Sequence, residues 1–217
     1  MIRHIAIHSV PRSGSTWLGE ILNSSPKVKY GFQPLFSYAL KSALTPQSDA
    51  DEIADFFYRL LRIADDFIDQ TDQRRKGTLA TFAKQPPFTH VGYKEVRYHH
   101  VLDNLLQTAP MVRAVLLIRN PVEVIDSWVG APREFDPAWD VDAELMTGAS
   151  KNMGRPEEFF GLEKWIETAQ RFLALSERFP DRTLIVDYAQ LKADPLQQAQ
   201  RLFAFCDLNL GLPTQAL

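Results

Sequence analysis

The chain is poor in the residues that staple a fold or cross a membrane. It has one cysteine, Cys206, in 217 residues. No intramolecular disulfide can form, and a reducing compartment is the expectation. No apolar run approaches the ~18 residues of a membrane span. Positive charge is not in excess: 24 Lys and Arg stand against 27 Asp and Glu, a formal net charge of −3. That argues against a broad basic face for nucleic acid. No His/Cys/Asp group has metal-ligand spacing, and the adjacent pair His99-His100 suits a single ion badly. No metal is expected. There are no repeats and no low-complexity tract. The first residues read as a core strand rather than a signal peptide, so the expectation is a cytoplasmic protein.

What is present alternates. Apolar runs at Ile2–His8, His90–Glu95, Arg113–Ile118 and Thr183–Val186 read as strands. Helical spacing separates them. Ser48 is a candidate cap for a helix carrying Ile53, Phe56, Phe57, Leu60, Leu61, Ala64, Phe67 and Ile68, within a helical segment of about 48–76. A second helix spans Pro156 to Phe179, with Phe159, Trp165, Ile166, Ala169, Phe172 and Leu173 inward. A third starts at Asp194-Pro195, cap followed by proline. Strands alternating with helices predict an α/β fold of three layers around a central parallel sheet. The length fits one domain over 1–217. Gly130 to Gly154 has no clear period and reads as a lid-like loop.

The run Pro11-Arg12-Ser13-Gly14-Ser15-Thr16-Trp17-Leu18 follows the first strand. Small residues between a strand and a helix leave backbone N–H groups free to face an anion. The Walker pattern G-x-x-x-x-G-K-[ST] is only half met. Gly14 and Thr16 fit its end, Ser15 stands where the lysine belongs, and Ser9 holds the first glycine position. The positive charge sits at Arg12 instead. A second anchor is Leu116-Leu117-Ile118-Arg119-Asn120-Pro121. Asn120 is a good N-cap and Pro121 a good first helical residue. Arg119 then lies at the carboxyl end of a strand, where open α/β folds bind ligands, and Ser127 is one helical segment away. The arginine offers a bidentate fork to phosphate. Two such anchors point to a ligand with two separate phosphate groups.

Together these motifs resemble the sulfotransferase family that uses 3′-phosphoadenosine 5′-phosphosulfate (PAPS). Pro11 to Leu18 matches the signature P-[KR]-S-G-[ST]-T-W-L, with arginine as in the carbohydrate-type branch. Arg119, Pro121 and Ser127 match the second signature, and Val186 to Pro195 is similar to a Y-E-D-L-x-x-D-P stretch. The resemblance implies a P-loop NTPase-like topology and PAPS as sulfuryl donor, with no metal. It implies a small-molecule or glycan acceptor: a carbohydrate, lipid or small natural product. Arg12, Ser13, Gly14, Ser15 and Thr16 would hold the 5′-phosphosulfate. Trp17 and Tyr188 would meet adenine, and Arg119 and Ser127 the 3′-phosphate. Arg12 and Lys94 would stabilise charge on the leaving phosphate. The general base is less well marked. The family's histidine position is filled by Val96, and the glutamate of an F-E-P-L run is Gln33. Glu95 is the remaining candidate, although strand alternation sends it to the face opposite Lys94. The rival readings are a nucleotide-binding protein without catalysis and an ATP-dependent small-molecule kinase.

Overall fold

The computed structural model describes residues 2–211. Its elements, in chain order, are β1 (Arg3–His8), α1 (Ser15–Asn23), β2 (Val28–Phe32), α2 (Ala50–Arg62), α3 (Thr71–Arg75), β3 (His90–Glu95), α4 (Leu102–Thr108) and β4 (Val112–Ile118). Then follow α5 (Pro121–Val129), α6 (Val141–Thr147), α7 (Ala149–Asn152), α8 (Leu162–Arg178), β5 (Thr183–Asp187), α9 (Tyr188–Ala193) and α10 (Pro195–Phe205). The five strands form one parallel sheet in the order β2-β3-β1-β4-β5.

Alternation along the strands builds a core on each side of the sheet. Ile5 and Ile7 of β1 and Val115 and Leu117 of β4 pack with Leu18, Ile21 and Leu22 of α1 and Leu202 and Phe203 of α10. Ala6, Tyr93, Ala114 and Leu116 pack on the other face with Phe56 and Phe57 of α2, Leu102 and Leu105 of α4, and Phe172 and Leu175 of α8. The result is the expected helix–sheet–helix arrangement.

The predicted strands appear, each within a residue or so of its expected bounds. A fifth, β2, adds the edge next to β3; Lys29 and Gly31 interrupt its apolar pattern, and Lys29 reaches out to Asp69 at 2.7 Å. The first long helix is capped by Asp49, not Ser48. Asp49 accepts from Asp51 and Glu52 N–H groups, and Glu52 reaches back to the Asp49 N–H, a full capping box. Ser48 instead accepts from the Thr45 N–H. The helix also ends sooner than its period suggests. Ile63 is extended, so Ala64, Phe67 and Ile68 lie beyond it, and only α3 is helical in the rest of 48–76. The helix expected from Pro156 starts at Leu162. Phe159 is buried ahead of it, whereas Ile166 and Leu173 face solvent, because Thr168, Phe172 and Leu175 form the inward stripe. The 130–154 segment is not a bare loop. It carries α6 and α7, and the Asn152 side chain ties to the backbone of Thr147 and Phe160. Among the described residues no helix is long and apolar enough to cross a membrane.

Candidate active site

The cleft lies at the carboxyl ends of β1, β3 and β4, where the strand-to-helix loops converge. It encloses about 340 Å³ and is lined by the 11–16 loop together with Lys94, Arg97, Arg119, Ser127 and Glu134, among others.

Glycine is required at position 14. Gly14 has φ +86° and stands at the start of α1, and a Cβ there would meet the Tyr188 ring, with Cδ2 only 2.8 Å away. No side chain caps α1. The positive end of the helix therefore opens on the cleft through Gly14, Ser15 and Thr16. Arg12, itself at φ +67°, turns its side chain across the mouth. Its Nε donates to Ser127 Oγ at 3.2 Å. Arg119 Nη1 donates to the Arg12 carbonyl at 2.9 Å, and Arg119 Nε pairs with Glu123 at 2.9 Å. Its guanidinium also lies 4.5 Å from the centre of the Tyr188 ring. Asn120 caps α5 by accepting from the Val122 N–H, as its position before Pro121 suggests. Trp165 Nε1 holds the Arg119 carbonyl at 2.9 Å. The two sequence-predicted phosphate anchors are thus hydrogen-bonded to each other.

Three of the residues expected to hold the nucleotide lie outside the cleft lining. Trp17 and Tyr188 meet edge to face on the flank of Gly14, their ring centres 6.5 Å apart. Ser13 is fully buried, with its hydroxyl unpartnered among the described residues, so it turns only backbone toward the loop's open side.

Lys94 and Glu95 separate as strand alternation requires. Lys94 lines the cleft, 2% exposed, with Nζ 4.2 Å from the centre of the Phe32 ring. Burial drives its pKa well below the ordinary lysine value. Glu95 points into the opposite layer, fully buried, where Oε1 accepts from the Leu35 N–H at 2.8 Å. Burial pushes its pKa up. It does not line the cleft beside Lys94, and its carboxylate braces the turn after β2.

Arg97 and Glu134 carry no local sequence signal, yet both line the cleft. The strand ends at Glu95 and the chain bends at 96–97, and Arg97 lies on the cleft side. Arg97 Nε pairs with Glu158 at 2.9 Å, and Nη1 donates to Gln33 Oε1 at 3.0 Å. An arginine has no acceptor, so the Gln33 oxygen must face it, and the amide nitrogen is left as Gln33's donor. Glu134 approaches Arg12 at 3.8 Å. Beneath the loop, His8 and His99 share a hydrogen bond of 3.0 Å between their Nδ1 atoms, and His8 Nε2 lies 3.2 Å from the Tyr93 hydroxyl. Burial pushes the His8 pKa down to about 3. Among the described residues no three His, Cys, Asp or Glu side chains form a metal-binding group.

The geometry is that of an α/β protein with two linked arginines and an uncapped helix N-terminus at one cleft. The profile of the Sulfotransferase family matches residues 4–211, and the chain belongs to that family. Solved structures agree on the fold. A mouse sulfotransferase, SULT7A1, complexed with PAP superposes with a TM-score of 0.58 at 13% identity, covering 99% of this chain and 61% of that one. The sulfotransferase domain of the Synechococcus PCC 7002 olefin synthase gives 0.61 at 19% identity, covering 98% and 76%. The sulfotransferase domain of the curacin biosynthetic pathway gives 0.60 at 16% identity, covering 99% and 77%. This chain thus spans about three-fifths of the length of the mouse protein. No curated protein sequence matches it.

Proposed function

We propose that this chain transfers a sulfuryl group from PAPS to a hydroxyl of a carbohydrate, lipid or small natural product. The observation that carries the reading is the pair of linked anchors at one helix N-terminus: Arg12 bonded to Ser127, and Arg119 bonded to the Arg12 carbonyl. A nucleotide with phosphates at both 5′ and 3′ positions needs two such anchors. PAP, the desulfated form of that donor, occupies the mouse sulfotransferase and a retinol dehydratase of the same fold. The uncapped α1 terminus and the bare Gly14 suit close approach of a phosphosulfate to backbone.

In this reading Arg12, Gly14, Ser15 and Thr16, with the Ser13 backbone, hold the 5′-phosphosulfate. Arg119 and Ser127 take the 3′-phosphate, and Trp17 and Tyr188 flank adenine. Sulfuryl transfer depends on in-line positioning and on charge stabilisation at the leaving phosphate. Arg12 and Lys94 supply that charge. The Lys94 ammonium is costly in the closed cleft and gains a partner when a dianion arrives beside it. Gln33, its amide oriented by Arg97, donates to the acceptor oxygen. The lone cysteine, Cys206, is buried, its thiol pushed up to about 12. A cytoplasmic setting is part of the same proposal, since a single cysteine leaves the fold without an intramolecular disulfide. An ATP kinase is disfavoured by Ser15, which replaces the lysine expected over the β- and γ-phosphates.

Calorimetric titration tests the reading. PAP should bind without magnesium and more tightly than Mg-ATP. Equal or tighter binding of Mg-ATP would overturn it.

A further inference from the structure

Transfer to a hydroxyl requires that a proton leave, and Gln33 and Val96, which face the cleft beside Lys94, can take none. We propose, on the reading above, that Glu134 is the general base. It is the one carboxylate among the described residues that line the cleft, and no histidine lines it. Other candidates are used elsewhere. Glu95 faces the opposite layer and braces Leu35. Glu158 is buried and paired with Arg97, and Glu123 is paired with Arg119 from outside the cleft. His8 and His99 are fully buried and bonded to each other.

Position and support favour Glu134. One oxygen, Oε1, lies 3.8 Å from Arg12 Nη1, the cation assigned to the transferring group. The other, Oε2, is sealed from solvent with no hydrogen-bond partner among the described residues. A carboxylate placed so near an anion site weakens anion binding, a cost that a reaction can offset and a pure binding site cannot. The residue is held firmly. Its N–H donates to the Ala131 carbonyl at 2.8 Å, and its carbonyl accepts from Trp128 Nε1 at 3.3 Å. The next residue, Phe135, is buried against Trp128, 5.1 Å between ring centres. These contacts fix the backbone at Glu134, and from there the carboxylate reaches toward Arg12.

The step balances. The acceptor oxygen forms a bond to sulfur while the bond from sulfur to the 5′-phosphate oxygen breaks. The phosphate keeps the electron pair and leaves as PAP, and the acceptor's proton passes to the Glu134 carboxylate. The hydroxyl becomes acidic as its oxygen bonds to sulfur, which eases transfer of its proton to a carboxylate.

The test uses the whole chain, PAPS, and a series of phenols from 4-nitrophenol to 4-methoxyphenol, with a simple alcohol at the far end. Glu134→Gln should cut turnover by about 10²–10⁴ for the least acidic acceptors. The loss should shrink toward none for 4-nitrophenol at pH 8, which arrives already ionised. Glu134→Asp, which keeps a carboxylate, should fall between, and it carries the test if the glutamine variant no longer binds PAP. A loss that does not depend on acceptor acidity, or no loss at all, overturns the assignment while leaving the sulfotransferase reading intact. Failure of the wild type to bind PAP overturns both.

Discussion

Gly14 and Tyr188 offer a sharp test of how the nucleotide loop is built. Gly14→Ala imposes two separable costs. The first is conformational: φ +86° is left-handed for an L-residue, worth ~1–2 kcal/mol. The second is steric: the new methyl group would run into the Tyr188 ring. The backbone there opens a helix, so the ring must move. In moving it gives up the Arg119 guanidinium 4.5 Å from its centre and its edge contact with Trp17. Those are worth roughly 0.5–2 kcal/mol and 0.5–1.5 kcal/mol. The single variant should therefore lose about 2–5.5 kcal/mol, the sum of these three ranges. In a Tyr188→Ala background the ring and its contacts are already gone, and Gly14→Ala should cost only the ~1–2 kcal/mol of backbone strain. Urea denaturation of the wild type, both single variants and the double variant closes the cycle. A coupling of at least ~1 kcal/mol is expected, against the ~0.3–0.5 kcal/mol scatter of independent sites. Additive costs would refute the claim that the glycine is needed to seat Tyr188.

Two further outcomes follow from other contacts. Arg119→Ala should weaken PAP binding by ~1.5–3 kcal/mol, the scale of a hydrogen bond to a charged group. Calorimetry should show a smaller loss for adenosine 5′-phosphosulfate, which lacks the 3′-phosphate; equal losses would reduce Arg119 to a brace for the Arg12 carbonyl. The second outcome concerns pH. His8 titrates near 6.5 when unfolded and at about 3 when folded, so the unfolded state binds the extra proton between those values. Stability from this group is then full above pH 6.5 and falls as pH drops, by about 2 kcal/mol at pH 5. Glu95, pushed up by burial, has the opposite sign. The readout is therefore the stability difference between wild type and His8→Gln, which should narrow by about that amount from pH 7 to pH 5; a constant difference would contradict burial of a neutral His8.

Most of the fold was legible because its signals are local. Asn120-Pro121 and Asp194-Pro195 cap the helices they were expected to cap, and the strands at the sheet's centre are short apolar runs that few other structures accommodate. What was missed depends on partners distant in sequence. The β2 run has Lys29 and Gly31 within it and reads as a strand only once β3 is beside it. Asp49 displaced Ser48 as cap because Glu52 completes a reciprocal pair, a signal that was present in the sequence three residues on. Helix α2 stops at Arg62 although apolar residues continue, since Ile68 belongs to the core beneath Leu60 and Gly31 without being helical.

The site divides the same way. The clustering of Arg12, Gly14 and Arg119 was legible because each sits at a strand-to-helix junction whose chemistry is written in a few adjacent residues, with Ser127 following inside α5. The acid–base chemistry was not. Alternation already assigned Lys94 and Glu95 to opposite faces, and the structure obeys it: one lies in the cleft, the other under the β2 turn. The same rule places Arg97 with Glu95, and there it fails, because the strand ends at Glu95 and the chain bends at 96–97. Glu134 is brought to Arg12 by the aromatic packing of Trp128, Phe135 and Phe160, residues spread over more than thirty positions. No period within the 130–154 segment encodes that approach. A phosphate anchor can be built from one turn of backbone, but a base must be aimed at a substrate atom by the whole fold.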